Sequence, residues 1–179
     1  MFNPKFTCTT KLINYIAEIA AIRQSILDSK IKPSYDLFLK NTAIINSSHN
    51  STSIEGNPLT IEEVKKLFEG EKLNAPSKSK NEVLNYFDVL KNLENYESIN
   101  KETILDIHKK VSKDTLRNKK FEGKYRETPV IIANVLTGEI NFTPHVSYKV
   151  LYLIEEFLEW FNQIKISILL FLQVLQIMK

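Results

Sequence analysis

The chain has 179 residues, 43% of them apolar and 25% charged, which is enough for one ordinary globular domain with at most a small appendage. Four glycines and six prolines argue against an all-β sandwich with many tight turns. A net charge of +3, with lysine pairs scattered at 65–66, 109–110 and 119–120, reads as solvated faces and makes nucleic acid an unlikely partner. Cys8 is the single cysteine, so no internal disulfide can form and a reducing, cytoplasmic compartment is expected. The first ten residues lack the basic and then apolar pattern of a secretory leader.

In chain order, Leu12, Ile13, Ile16, Ile19, Ala20, Arg23, Ile26 and Leu27 recur at helical spacing and predict a helix over 11–29. After Pro33 a second helix is expected over 34–53, with Leu37, Phe38, Ala43, Ile44 and Ile45 inward. Gly56-Asn57-Pro58 should end it, because glycine takes the left-handed C′ position and proline cannot continue the ladder. Thr60-Ile61-Glu62-Glu63 reads as a capping box opening a short helix to about residue 69. Residues 70–79, polar and holding Pro76, read as the most mobile loop. Ser79-Lys80-Asn81-Glu82 reads as a second capping box, ahead of a face made of Val83, Leu84, Phe87, Leu90 and Leu93. Asn100 is placed to cap a further helix carrying Ile104, Leu105, Ile107, His108 and Val111.

The β-signal is one hairpin: Pro129-Val130-Ile131-Ile132, a turn at Thr137-Gly138, then Glu139-Ile140-Asn141-Phe142. Thr143-Pro144 should restart a helix with Val150, Leu151, Ile154, Phe157, Leu158 and Phe161 on one side. The expected fold is mainly α with one β-hairpin. The apolar run 164–178 is broken by Lys165, Ser167, Gln173 and Gln176 and is shorter than the roughly 20 residues a bilayer requires, so no membrane association is expected.

Familiar catalytic patterns are scarce. No phosphate-binding glycine loop, metal-spaced Cys/His set or HExxH occurs. His108 shares a stripe with Ile104 and Leu105 and reads as packed, while His49 and His145 read as surface residues. The unusual segment is Ser48-His49-Asn50-Ser51-Thr52-Ser53-Ile54-Glu55-Gly56-Asn57-Pro58, where poor helix formers crowd a helix end. Glu55 also meets the end of the helix dipole that favours cations. The residues allow two readings: a fraying end with a solvated glutamate, or a carboxylate presented to a cationic partner.

Here the chain resembles a family. Ser51-Thr52-Ser53-Ile54-Glu55-Gly56 is similar to the inhibitory-helix pattern (S/T)-x-x-x-E-(G/N) of Fic (Fido) proteins. The surroundings follow the same order: Asn3-Pro4-Lys5-Phe6-Thr7, Gly56-Asn57-Pro58-Leu59-Thr60, Glu82-Val83-Leu84-Asn85-Tyr86, Gly123-Lys124-Tyr125-Arg126, the hairpin, Phe142-Thr143-Pro144 and Glu159-Trp160-Phe161-Asn162. The resemblance implies a Fic-type helical domain, with an N-terminal region at 1–75, the first part of the core with its hairpin flap at 76–163, and a tail at 164–179 without family character. It implies protein adenylyltransfer: AMP moves from ATP, with Mg²⁺, to a Ser, Thr or Tyr hydroxyl of a target protein. Ser51, Glu55 and Gly56 would form the inhibitory, nucleotide-site element, with Glu55 pairing to an arginine of the catalytic loop. Pro129, Val130, Ile131, Ile132 and Ala133 would dock the target by strand addition.

The family's catalytic motif, HPFx(D/E)GNGR, occurs nowhere in the 179 residues. No catalytic residue or metal ligand is therefore assigned, productive ATP binding by this chain is not expected, and its status as an enzyme stays open. A frame slip would account for the tail: one choice of its codons, read from the third base, gives K-N-I-H-P-V-I-F-A-G-I-A-N-Y-E. On that reading the core is C-terminally incomplete, apolar faces from Leu84 to Phe161 are uncovered, and low stability or self-association follows. Two alternatives are a module acting in trans on a Fic enzyme and a helical DNA-binding regulator.

Overall fold

A computed structural model of the chain describes all residues except Met1, Asn3, Phe6, Val135, Met178 and Lys179, with backbone alone for 165–177. Part of the Asn3–Thr7 motif and the end of the tail therefore lie outside the described residues. Six helices appear in the order α1 (Thr10–Asp28), α2 (Pro33–Ile54), α3 (Ile61–Phe68), α4 (Ser77–Lys91), α5 (Lys101–Ser112) and α6 (Ser147–Ile177). A two-stranded antiparallel hairpin, β1 (Ile132–Ala133) and β2 (Ile140–Phe142), lies between α5 and α6. The mainly α fold with one hairpin is thus realised. None of the described helices is long and apolar enough to cross a membrane.

Two compact units result, one from Met1–Asp36 with Glu156–Lys179 and one from Leu37–Glu155. In the first, the Phe2 ring stands edge-on to Phe157 at 5.6 Å and to Trp160 at 5.1 Å, and Leu158 is buried. Helix α1 buries no residue.

The core of the second unit is Leu59, Val64, Leu67, Val83 and Phe87, contributed by α3, α4 and the loop before α3. Ile44, Ile45, Phe68, Leu73 and Ala75 pack onto it. Phe68 meets Phe87 edge-on at 5.2 Å, and the Lys91 ammonium sits 4.4 Å from the Phe68 ring centre. Leu73 and Ala75 show that the 70–79 loop packs as it crosses, and Lys80 donates to the Leu73 carbonyl at 3.2 Å.

Local chemistry explains the element ends. The Thr60 hydroxyl accepts from Glu63 N–H while the Glu63 carboxylate accepts from Thr60 N–H at 2.8 Å, so the expected capping box forms. Those bonds, the backbone one foremost, hold the Glu63 carboxyl below its ordinary pKa. The Asn100 side chain accepts from Thr103 N–H at 2.8 Å, as expected.

The box at Ser79–Glu82 does not form. Helix α4 starts at Ser77 behind Pro76, which puts Ser79 inside the first turn, buried, and releases Glu82 for another partner. Several apolar stripes also differ. Leu37, Phe38 and Ala43 are exposed, and the inward face of α2 runs through Ile44, Ile45, Ser48 and Thr52. Leu84, Leu93 and Leu151 are exposed as well. The strands are shorter than the sequence suggests because a bulge interrupts the pairing between Ile132↔Phe142 and Ala133↔Ile140. Helix α6 begins at Ser147 rather than at Thr143.

Candidate functional site

Two hydroxyls of the polar run at the end of α2 bond back to the helix itself. Thr52 Oγ1 donates to the Ser48 carbonyl at 2.8 Å, and Ser53 Oγ donates to the His49 carbonyl at 2.7 Å. Ser48 and Thr52 are buried, so part of the run is explained by small residues on the packed face. Ser51 and His49 are half-buried, and Ile54 and Glu55 are exposed.

The tip ends in a Schellman motif. Asn57 N–H donates to the Thr52 carbonyl and Gly56 N–H to the Ser53 carbonyl, both at 3.0 Å, with Gly56 at φ +86°. A Cβ at Gly56 would meet nothing within 4 Å, so the demand for glycine is one of backbone conformation. Glu55 is the last residue before this left-handed step, its N–H bonded to the Thr52 carbonyl at 3.1 Å and its carboxylate in solvent.

Asn57 fixes the tip to the rest of the unit. Its Nδ2 donates to the Ser79 carbonyl at 2.9 Å and to Glu82 Oε2 at 2.7 Å, and its Oδ1 accepts from Leu59 N–H at 3.1 Å. Glu82 is occupied in this way instead of capping its own helix. One turn on, Asn85 Nδ2 donates to the carbonyls of Val111 and Lys113 at 3.0 and 2.7 Å, satisfying the end of α5. The Glu82-Val83-Leu84-Asn85 segment therefore joins α2, α4 and α5, with Val83 fully buried between its two polar anchors.

The hairpin has its own foundation. Gly123, at φ +67°, lies so close to α5 that an added Cβ would come within 2.7 Å of Lys109 Cβ, and its N–H donates to His108 Nδ1 at 3.0 Å. His108 is exposed, not packed; its ring anchors this turn. Arg126 Nη1 donates to the Thr128 carbonyl at 3.4 Å and Nη2 donates to the His145 carbonyl, while Ser147 Oγ donates to the Glu127 carbonyl at 2.8 Å. Both ends of the hairpin segment are thereby held together. Within it, Asn134 Oδ1 accepts from Leu136 and Thr137 N–H, and Gly138 N–H returns to the Asn134 carbonyl at 2.9 Å. Pro129, Val130, Ile131 and Ile132 are exposed along an extended stretch, and Ala133 is half-buried.

Beside this foundation Lys101 and Glu155 pair at 2.8 Å, and the Glu155 bond lifts the Lys101 pKa. Burial raises the Tyr125 hydroxyl, which has no hydrogen-bond partner among the described residues.

Among the described residues no three His, Cys, Asp or Glu side chains gather to hold a metal. The four glycines stand in four separate turns, so no glycine-rich phosphate cradle forms. These residues by themselves do not fit ATP with Mg²⁺. Ser51, Glu55 and Gly56 come together at one tip, and Pro129–Ala133 at one hairpin edge; no hydrogen bond or ion pair joins the two among the described residues. Sequence reasoning missed the roles of Asn57, Arg126 and Ser147. Asn-Pro at 57–58 is a turn signal that exposes half of the Asn57 role, and nothing local announces the Arg126 clamp.

No family model matches the chain, and no curated protein matches it. Among solved structures it is similar to the crystal structure of a Fic family protein from Desulfovibrio desulfuricans, with a TM-score of 0.72 at 22% identity over 90% of this chain. At that identity the likeness establishes a Fic-type fold. The match takes in 48% of the other protein, so the chain spans about half its length.

Proposed function

We propose that this chain serves a Fic-type protein adenylyltransferase, with α2 as the inhibitory element and the hairpin as the docking edge for the target. One observation carries the reading: on a Fic-type fold, the Schellman-capped tip presents Glu55 to solvent while Asn57 locks that tip to α4. A carboxylate held on a rigid support loses little freedom on meeting an arginine, which is what an inhibitory contact requires. Ser51 and Gly56 shape the same tip. Val130, Ile131 and Ile132 are exposed and would offer an edge to an extended target segment.

On this reading the base, the metal ligand and the phosphate cradle of the transfer would belong to a catalytic loop of the HPFx(D/E)GNGR type, a motif that the 179 residues do not contain. ATP and Mg²⁺ would be held there. The test is to add the purified chain to an active Fic adenylyltransferase whose own inhibitory glutamate has been replaced, and to follow AMP incorporation. Glu55-dependent inhibition, abolished by Glu55→Gly, is the expected result. Equal effects of the two chains, or no effect of either, would overturn the assignment of Glu55.

A further inference from the structure

Helix α1 presents a face that the proposed function does not use. Its large outward apolar residues are Leu12, Ile13, Tyr15, Ile19, Ile22, Ile26 and Leu27, and five of them, Leu12, Tyr15, Ile19, Ile22 and Ile26, are spaced 3, 4, 3 and 4 apart and are each 40–65% exposed. That spacing is the a/d repeat of a coiled coil, with Leu12, Ile19 and Ile26 at a and Tyr15 and Ile22 at d. A surface helix folded onto its own core would turn this stripe inward; here Ile16 and Ala20, off the stripe, are the half-buried positions.

The surface relief agrees with the repeat. A shallow groove of ≈ 330 Å³ on α1 is lined by Ile19, Ile22, Arg23, Ile26 and Leu27. The first four are one a, d, e and next a position, the four residues that form the hole for a d-position knob from a facing helix. In a parallel, in-register pair that knob is Ile22 of the other copy.

Charge selects the direction. Glu18 falls at g and Arg23 at e of the next heptad, so a parallel pair brings Glu18 of each chain to Arg23 of the other, twice by symmetry. An antiparallel pair sets Glu18 near Ser25 and Arg23 near Ile16 and gains neither contact. Within the chain, neither Glu18 nor Arg23 makes an ion pair or side-chain hydrogen bond among the described residues.

We infer that α1 is a self-recognition surface, pairing with α1 of a second copy of this chain as a short parallel coiled coil. Roughly two heptads make a reversible contact, so association is expected in the micromolar range.

Sedimentation equilibrium of the whole chain from about 1 to 300 μM, spanning that range, reads the assembly. Passage from 20.7 kDa to twice that mass is expected. Ile19→Lys should weaken association by about a hundredfold or more, as loss of a central anchor does. Glu18→Arg alone or Arg23→Glu alone should weaken it about tenfold, and the two together should restore it. Because all three positions are solvent-exposed, circular dichroism should be unchanged. In a Cys8→Ser background, Ile22→Cys should cross-link on mild oxidation, since like d positions face one another only in a parallel, in-register pair. A monomer at every concentration, a three-chain mass, association untouched by Ile19→Lys, or no rescue by the double charge reversal would each overturn the inference. None of these readouts depends on Glu55, so the outcome is separate from that of the inhibition assay.

Discussion

At Asn57 one amide serves three partners on two elements, the Ser79 carbonyl, the Glu82 carboxylate and the Leu59 N–H, and it does so while buried. Removing it leaves the Leu59 N–H unpaired and takes one donor each from the Ser79 carbonyl and the Glu82 carboxylate, so Asn57→Ala should cost about 2–3 kcal/mol, measured as a shift in the urea midpoint at constant slope. A second side chain with a readable signature is Asp106, which accepts from Lys110 at 2.8 Å and from the Tyr96 hydroxyl at 2.5 Å. The Lys110 bond, then the Tyr96 bond, hold its carboxyl below the ordinary aspartate range. A depressed carboxylate pKa gives stability that is present above the unfolded value and lost as pH falls through the folded one. Melting temperature should therefore decline below about pH 4, and Asp106→Asn should flatten that decline while lowering the plateau at neutral pH. Because the pair is largely solvated, the effect should be small and weaker still in high salt.

Among the elements, the hairpin depends on its root more than on its strands, which are two and three residues long. Arg126 bridges the carbonyls of Thr128 and His145, and Ser147 ties back to Glu127. Arg126→Ala should therefore raise amide exchange across 130–142 by about tenfold with little change in the global melt, because an exposed segment opens locally. Helix starts show how far local sequence reaches. Thr60–Glu63 and Ser79–Glu82 carry the same pattern, yet only the first becomes a cap. Pro76 fixes the start of α4 two residues ahead of Ser79, and Asn57, 25 residues away from Glu82, claims the carboxylate. Helix ends and turns are legible because their chemistry is local: Gly56, Thr60, Asn100 and Gly138 all act where they are expected. Tertiary anchors were not, because no window of sequence contains both partners.

For the whole molecule, the mainly helical class could be read from periodicity, and the single hairpin from the β-branched residues flanking the Thr137-Gly138 turn. Periodicity does not say which side of a stripe finds a cover, and there the reading of Leu37, Leu84 and Leu93 as inward failed. Val83 and Leu84 put the difference to a test: Val83→Ala, in a fully buried site, should destabilise by about 2–3 kcal/mol. Leu84→Ala, at 43% exposure, should cost under about 1 kcal/mol by the same measurement. The candidate site divides the same way. Its residues Ser51, Glu55 and Gly56 stand together at one helix end, while the scaffold that aims them was invisible in the local pattern.

The open space around Gly56 has an effect on inheritance as well as on folding. With φ at +86° and no neighbour to strike, the position filters handedness and ignores size. Asparagine, which tolerates the left-handed region, can replace glycine there and leave the carboxylate aimed as before. A valine or isoleucine would strain the left-handed step and loosen the turn that ends α2 beside Glu55 and leads into Asn57. On the proposed function, drift at this one position would weaken the inhibitory contact of Glu55.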